Sequence, residues 1–366
     1  MWSNSIGKAF AVTCFGESHG PGVGVTVDGC PAGLPLALYD LQQALERRIP
    51  EEKEVVSARR EPDLVEILSG TFENHTTGAP ITLYIKNRDT RPADYKELKD
   101  LVRPGHADYP AKVKYGGFSD YRGGGRLSGR MTAAFVAAGA VARKLIAQFG
   151  VEVLAYTAAI GNVALEETPS LEDVRKTTYQ NSMRAPEMTI AEKMREEVLK
   201  AKSEGDSVGG IVECTATNLP VGVGEPLFDA LDSELAKLLF GIPAVKGVEF
   251  GAGFRSSRLR GSQNNDQYVM KEGNVVTTTN NSGGILGGMS TGMPLLVRVA
   301  FKPPSSIAKE QKTVNVASME DATLGVKGRH DPCVVPKAVP VVEAMVSIGL
   351  ADLMIRGGMI SRVVKS

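Results

Sequence analysis

Residues 33–50, GLPLALYDLQQALERRIP, have a second version at residues 224–243, GEPLFDALDSELAKLLFGIP. Each opens on Gly-x-Pro, carries leucines at helical spacing and ends in Ile-Pro, so each predicts a proline-started helix. The likeness continues downstream. Residues 67–86 read ILSG and then TGAPITLYIK, and residues 285–302 read ILGG and then TGMPLLVRVAFK. Each of these predicts a glycine turn followed by a strand that starts on Gly-x-Pro. Two helix-then-strand units in the same order point to a duplicated, pseudo-symmetric α+β body. Its halves, about 6–150 and 205–350, are expected to interlock as a single domain within residues 1–366, because no linker or low-complexity tract separates them.

Between the copies lies RPGHADYPAKVKYGGFSDYRGGGRLSGRMTAAFVAAGAVARKLIAQFG, residues 103–150. His106 stands in a Pro-Gly turn between Arg103 and Asp108. Gly116-Gly117 and Gly123-Gly124-Gly125 leave backbone with few side chains in the way, and Arg122, Arg126 and Arg130 add cations. Met131, Ala134, Phe135, Ala138, Val141, Ala142, Leu145, Ile146 and Phe149 recur at helical spacing, with Ser128 as the expected N-cap and Gly150 as the stop. Glycines and arginines thus converge on a helix N-terminus, where free N–H groups and the dipole favour an anion. This predicts a site for a phosphorylated ligand next to a titratable histidine.

Elsewhere the pattern predicts strands at 23–27, 81–85 and 151–160. It also predicts a helix after Pro35 with Asp40 as a possible cap, and a surface helix at 187–204 with Ile190, Met194 and Val198 on one stripe. Met131–Ala142 reads as the longest nearly uninterrupted apolar run, too short to span a bilayer.

Composition narrows the function. The 366 residues hold 42 Lys plus Arg and 42 Asp plus Glu, so no global charge draws the chain to nucleic acid or an anionic membrane. Glycine, at 40 residues, exceeds the average of roughly 7%, as expected where backbone lies against ligands or turns tightly. Cys14, Cys30, Cys214 and Cys333 form no C-x-x-C pair, and the N-terminus lacks a basic-then-apolar leader, so a cytoplasmic protein with reduced thiols is expected.

Of the four histidines, His19 (ESHG), His106 (RPGHADY) and His330 (GRHDP) occupy polar turns rather than an apolar stripe, which suits proton transfer. His75 reads as a loop residue. No H-E-x-x-H or i,i+4 histidine pair predicts a metal site, and neither a Walker A loop nor G-x-G-x-x-G is present. GFRSSRLRGSQNNDQ (253–267) adds Arg255, Arg258 and Arg260, KPPSS (302–306) adds Lys302 and hydroxyls, and VKGRHDPCVVP (326–336) adds Asp331 beside His330. Arginines and histidines without metal ligands point to a small polyanionic substrate that carries phosphate.

Taken in order, GESHG, RPGHADY, YRGGGRLSGRMT, SRLRGSQNND, KPPSS and GRHDPCVVPKAVP resemble the chorismate synthase family, from residue 4 to about 350. The resemblance implies a β-α-β sandwich, a homotetramer, and elimination of phosphate and a ring proton from 5-enolpyruvylshikimate 3-phosphate. It also implies reduced FMN in a reaction with no net redox change. It casts His19 as the acid for the leaving phosphate and His106 as the histidine beside the flavin. Asp331 becomes the residue that helps remove the ring proton. Arg126, Leu127, Ser128, Pro243, Ala244, Gly287, Lys302, Pro303, Pro304, Ser305, Ser306 and Arg329 match FMN-contacting positions, and Arg48 and Arg130 match substrate- or NADP-contacting ones. Glu54 stands where many relatives have Arg. Leu127 replaces a frequent Ser, and Pro243 a frequent Asn. Two other classes compete: a flavin-dependent oxidoreductase of a phosphorylated small molecule, and a non-catalytic anion- or RNA-binding protein, which the zero net charge disfavours.

Overall fold

Alternating apolar residues build the first sheet. Strands β1 (Ser5–Ile6), β2 (Ala11–Gly16), β3 (Gly22–Asp28), β4 (Val65–Ser69) and β5 (Ile81–Lys86) pair antiparallel in the order β1-β2-β3-β5-β4. Val23, Val25, Val27, Ile81, Leu83 and Ile85 occupy every second position and are buried, as period-two geometry requires of one sheet face. Helix α1 (Leu38–Glu46) joins β3 to β4, and α2 (Thr132–Ala147) follows β5 and packs on β3. The computed structural model describes residues 3–49, 55, 61–326 and 330–364. Glu54 therefore lies outside the described residues.

The second sheet repeats the plan. Strands β6 (Glu152–Ile160), β7 (Val163–Ala164), β8 (Gly210–Thr217), β9 (Val245–Phe250) and β10 (Leu295–Phe301) pair antiparallel in the order β7-β6-β8-β10-β9. Helix α3 (Leu231–Phe240) joins β8 to β9, and α4 (Val335–Arg356) follows β10. From β3 and from β8 onward the two sheets share one order, strand-helix-strand-strand-helix, although the edge strand β1 precedes β2 and the edge strand β7 follows β6. The helices are layered between the sheets, α2 packing on the first and α4 on the second. This is an α+β sandwich.

Three expectations change on sight of the structure. The repeat aligns on the Gly-x-Pro strands, but ILSG is the end of β4 and its turn, whereas Ile285–Leu286 is half of a hairpin with Met289–Ser290. The hairpin of Thr71–Phe72 with His75–Thr76 is its counterpart, so Glu73-Asn74, both at positive φ, match Gly287-Gly288. Asp40 is not the cap of α1. It sits in the first turn, where its Oδ2 accepts the Ala37 N–H at 2.8 Å and pairs with Lys144. The longest apolar element is α4, not Met131–Ala142, and it is long and apolar enough to cross a membrane by composition alone. It is buried along almost its whole length between the layers.

The central contact is that between α2 and α4. A Cβ built on Gly139 would fall on Ala344 Cβ and lie 2.5 Å from Ala344 Cα, so the helix backbones meet where neither carries bulk. Two buried acids of α4 tie down polar backbone around it. Asp352 accepts the N–H groups of Lys8, Ala9 and Phe10 at 2.7, 2.6 and 2.9 Å, and Glu343 accepts Ala155 N–H at 3.0 Å and Tyr179 O–H at 2.9 Å.

Helix propensity alone would make Gly139→Ala stabilising by about 1 kcal/mol. Close packing predicts the reverse, a loss of about 1–3 kcal/mol from overpacking. Urea denaturation of the variant decides, and a gain in stability would contradict the close approach.

Candidate active site

The first turns of α2 and α4 open onto one cleft of about 1330 Å³, lined by Met131, Thr132 and Phe135 on one side and by Val334, Ala338 and Val341 on the other. Two helix N-termini at one cavity bias it toward anions. Ser128 caps the turn that leads into α2, its Oγ accepting Arg130 N–H at 3.2 Å, as the sequence predicts.

Arginine, aspartate and asparagine organise the floor. Asp63 is almost fully buried and accepts Arg48 Nε at 3.0 Å and Nη2 at 2.6 Å through Oδ2, while its Oδ1 takes Arg130 Nη1. Arg48 Nη1 reaches Thr132 Oγ1 at 3.2 Å, and Arg130 Nε reaches Asn87 Oδ1 at 2.9 Å. Burial opposes ionisation of Asp63, but the two guanidiniums outweigh it and hold its carboxyl below the usual range. The two guanidiniums share this one carboxylate, and Glu61, which accepts the N–H groups of Arg88 and Asp89, is the further anion that acts on Arg130. Arg130 is 5% exposed, and its Nη2 has no hydrogen-bond partner among the described residues. A buried guanidinium nitrogen in that state is poised for an anion in the cleft.

A second network orients His106. Asp108 receives Arg103 through Nε and Nη2, both at 2.7 Å, and its Oδ1 lies 2.6 Å from His106 Nδ1. Arg103 Nη2 also lies 3.1 Å from that nitrogen. The shorter contact, to a carboxylate, places the proton on Nδ1, leaving Nε2 on the side of Gly124. Burial pushes the Asp108 pKa up, but hydrogen bonds from Arg103 and His106 and the Arg103 charge win and hold it well below the ordinary value. Arg103 Nη1 continues to Ser306 Oγ at 3.1 Å. Lys302 Nζ donates to Gly105 O at 2.8 Å and to Ser305 Oγ at 2.6 Å. The KPPSS loop is thereby clamped to the histidine turn. Burial and then the nearby Lys246 charge lower the Lys302 pKa.

Gly123, Gly124 and Gly125 all have positive φ and pass between two histidines. A Cβ at Gly123 would strike His19 Nδ1, and one at Gly124 would lie 3.4 Å from His106 Nε2. His19 is buried beside the cleft wall, with its ring edge-on to Tyr95 at 4.8 Å. Asp331 lines the cleft with His330 and accepts Lys337 Nζ at 2.6 Å.

The cleft thus gathers Arg48, His106, Arg126, Leu127, Ser128, Arg130, Pro243, Ala244, Lys302, Pro304, Ser305, Ser306 and Asp331 from the sequence-predicted set. Pro303 belongs to the same loop without lining it. Gly287 sits in the hairpin turn and is not among the lining residues, and Arg329 lies outside the described residues. Arg122 does not line the cleft, and Asp120 accepts its Nε and Nη2, both at 2.8 Å. Arg255, Arg258 and Arg260 are also absent from the lining. Sequence reasoning missed Asp63, Asn87, Lys246 and Lys337. Asp63 follows Glu-Pro in a charged loop and offers no motif, whereas Lys337 was visible inside VVPKAVP.

A sequence model of the chorismate synthase family matches residues 10–355. The chain is 53% identical over 363 residues to the chorismate synthase of Dehalococcoides mccartyi (strain BAV1), covering 99% of this chain and 100% of that one. It is 51% identical to the chorismate synthase of Methanocella arvoryzae, covering 99% and 97%. A crystal structure of a chorismate synthase superposes with a TM-score of 0.75 at 31% identity, covering 96% of this chain and 93% of the other.

Asp108→Asn should fold less stably than the parent at pH 7, by about 1–3 kcal/mol, because buried charged hydrogen bonds are lost. The Asp108 pKa is depressed in the folded state, so its contribution is present above the unfolded value of about 3.9 and declines as pH falls below it. Denaturation from pH 7 to pH 3 should therefore show the gap narrowing on the acid side. A constant gap would contradict the role of its charge.

Proposed function

The chain belongs to the chorismate synthase family, a carbon–oxygen lyase that eliminates phosphate from 5-enolpyruvylshikimate 3-phosphate to give chorismate, and from that premise we propose how its cleft works. One observation carries the proposal: the buried Arg130, with its Nη2 unpartnered among the described residues, shares Asp63 with Arg48 in a cleft that is also lined by His106 and Asp331.

A 1,4-elimination breaks the C–O bond to phosphate, removes a ring proton and leaves a new C=C bond. The departing phosphate needs cations, a proton and a fixed position. Arg130 and Arg48 supply the cations, aided by the N-terminus of α2, in a site where the charges are already oriented. His19 gives its proton to the leaving phosphate oxygen. Asp331, held by Lys337, takes part in removing the ring proton. His106 donates its Nδ1 proton to Asp108, which leaves Nε2 beside Gly124, where it would be open to a flavin held in the cleft.

The cofactor of this reading is reduced FMN. A cleft of about 1330 Å³ exceeds the roughly 300–1,000 Å³ of a pocket for one small ligand, which leaves room for a second beside the substrate. Arg126, Leu127, Ser128, Pro243, Ala244 and the Lys302–Ser306 loop would hold it, with Arg329 and Gly287 as further contacts. Leu127 and Pro243 would do so through their backbone. Reduced FMN, when bound, supplies the transient electron donation that no side chain can offer.

We also propose a cytoplasmic homotetramer whose chains are each one domain of two interlocked halves. Cys14, Cys30, Cys214 and Cys333 are all free, as suits a reducing compartment. Leu227, Phe228, Phe254 and Met319 are all more than 80% exposed on the single chain, which leaves apolar surface for assembly.

The test is a stoichiometry measured on one anaerobic sample. Phosphate and chorismate should rise together over many turnovers while FMN stays reduced, and the apo-protein should form no product. One flavin oxidised per product would make the protein an ordinary oxidoreductase, the alternative that the family does not favour. Product without flavin would sink the cofactor assignment.

A further inference from the structure

The turn that presents Arg48 is held from outside the cleft. Helix α1 ends at Glu46, and the carbonyls at and just beyond a helix C-terminus need partners from elsewhere. Two of them, Arg47 O and Ile49 O, flank Arg48, and both accept Arg184 Nη2, at 3.1 and 3.4 Å. Arg184 lies far off in sequence, so the link is purely tertiary. Its charge faces the negative end of the α1 dipole, a favourable placement.

Arg184 is itself closely held. It is 5% exposed, its backbone is left-handed at φ 57, and its N–H and C=O bond Asn181 O at 3.3 Å and Thr157 N at 2.9 Å. Its Nη1 donates to Tyr179 O at 3.0 Å. The guanidinium lies 4.9 Å from the centroid of the Tyr179 ring, and that of Arg47 lies 4.8 Å from the same centroid. Tyr179 O–H in turn donates to Glu343 of α4 at 2.9 Å. A chain of fixed groups therefore runs from the central helix to both carbonyls beside Arg48.

We propose that Arg184 is a positioning residue for the anion site. It fixes the Arg47–Ile49 turn so that the Arg48 guanidinium meets Asp63 and Thr132 at the cleft rather than moving through its rotamers. The proposal rests on Arg48 as an anchor of the substrate phosphate. It adds to that reading a residue that touches no ligand. Lysine is a poor substitute, because a single ammonium lacks the planar fork that serves two carbonyls and lies against a ring.

Five proteins test it: the parent, Arg48→Ala, Arg184→Met, Arg184→Lys and the double variant of Arg48→Ala with Arg184→Met. Each is assayed with 5-enolpyruvylshikimate 3-phosphate and reduced FMN, with inorganic phosphate as competitive inhibitor and a thermal melt as the fold control. Arg184→Met should raise both KM and the phosphate inhibition constant about tenfold while kcat stays within about threefold, the pattern of a displaced binding group. In the Arg48→Ala background the same change should have no further effect on either constant, because the two act through one contact. Arg184→Lys, which keeps the charge, should fall between Met and the parent, and it replaces Met in the cycle if the Met variant fails to fold. Equal effects of the Arg184 change in both backgrounds, or none in either, would overturn the proposal. Unchanged constants in Arg48→Ala alone would instead sink the anchoring role of Arg48.

Discussion

Everything at the cleft depends on how closely two helices approach. Gly139 and Ala344 let the backbones of α2 and α4 meet, and neither helix could advance if either position carried bulk. That contact brings their first turns, with residues more than 200 positions apart, to the two sides of a single cavity. The loops that precede the helices arrive with them. One carries the glycines, Arg126 and Ser128, and the other carries His330 and Asp331. Packing between apolar layers thus sets the position of every polar group that follows.

Polar contacts then lock the loops once packing has gathered them. Arg103 joins Asp108 and His106 to Ser306, and Lys302 joins Gly105 to Ser305. The bonds from Arg103 to Ser306 and from Lys302 to Gly105 cross between the halves of the chain. In a neutral protein such links consume most of the charge: Arg122 is matched by Asp120, and Arg103 by Asp108. Arg48 and Arg130 share one carboxylate between them. That pair of guanidiniums is local, and Arg130 is buried where water cannot screen it well. That is an economical way to bind phosphate without attracting nucleic acid over the whole surface.

Local chemistry was legible in the sequence wherever one residue type had a specific task. Ser128 caps the turn before α2, and the three consecutive glycines take positive φ beside two histidines. The repeated Gly-x-Pro strands announced two sheets with one plan. What escaped was of two kinds. Helix α4 is buried on all sides, its acids Glu343 and Asp352 included, so it shows no contrast between faces from which a period could be read. Asp63 and Arg184 act only through partners distant in sequence, and no spacing rule connects them to Arg48. Asp40 misled for a related reason: an acid near a helix start is favourable at the cap and in the first turn alike.

The account stands on Arg130 as the buried cation that receives phosphate. The most direct measurement is a crystal structure of the protein with 5-enolpyruvylshikimate 3-phosphate and oxidised FMN bound together. A phosphate oxygen should lie within hydrogen-bond reach of Arg130 Nη2, roughly 2.7–3.2 Å, with Arg48 on the same group and Asp63 still beneath both. Phosphates bound elsewhere in the cleft, with Arg130 Nη2 facing only water, would contradict it.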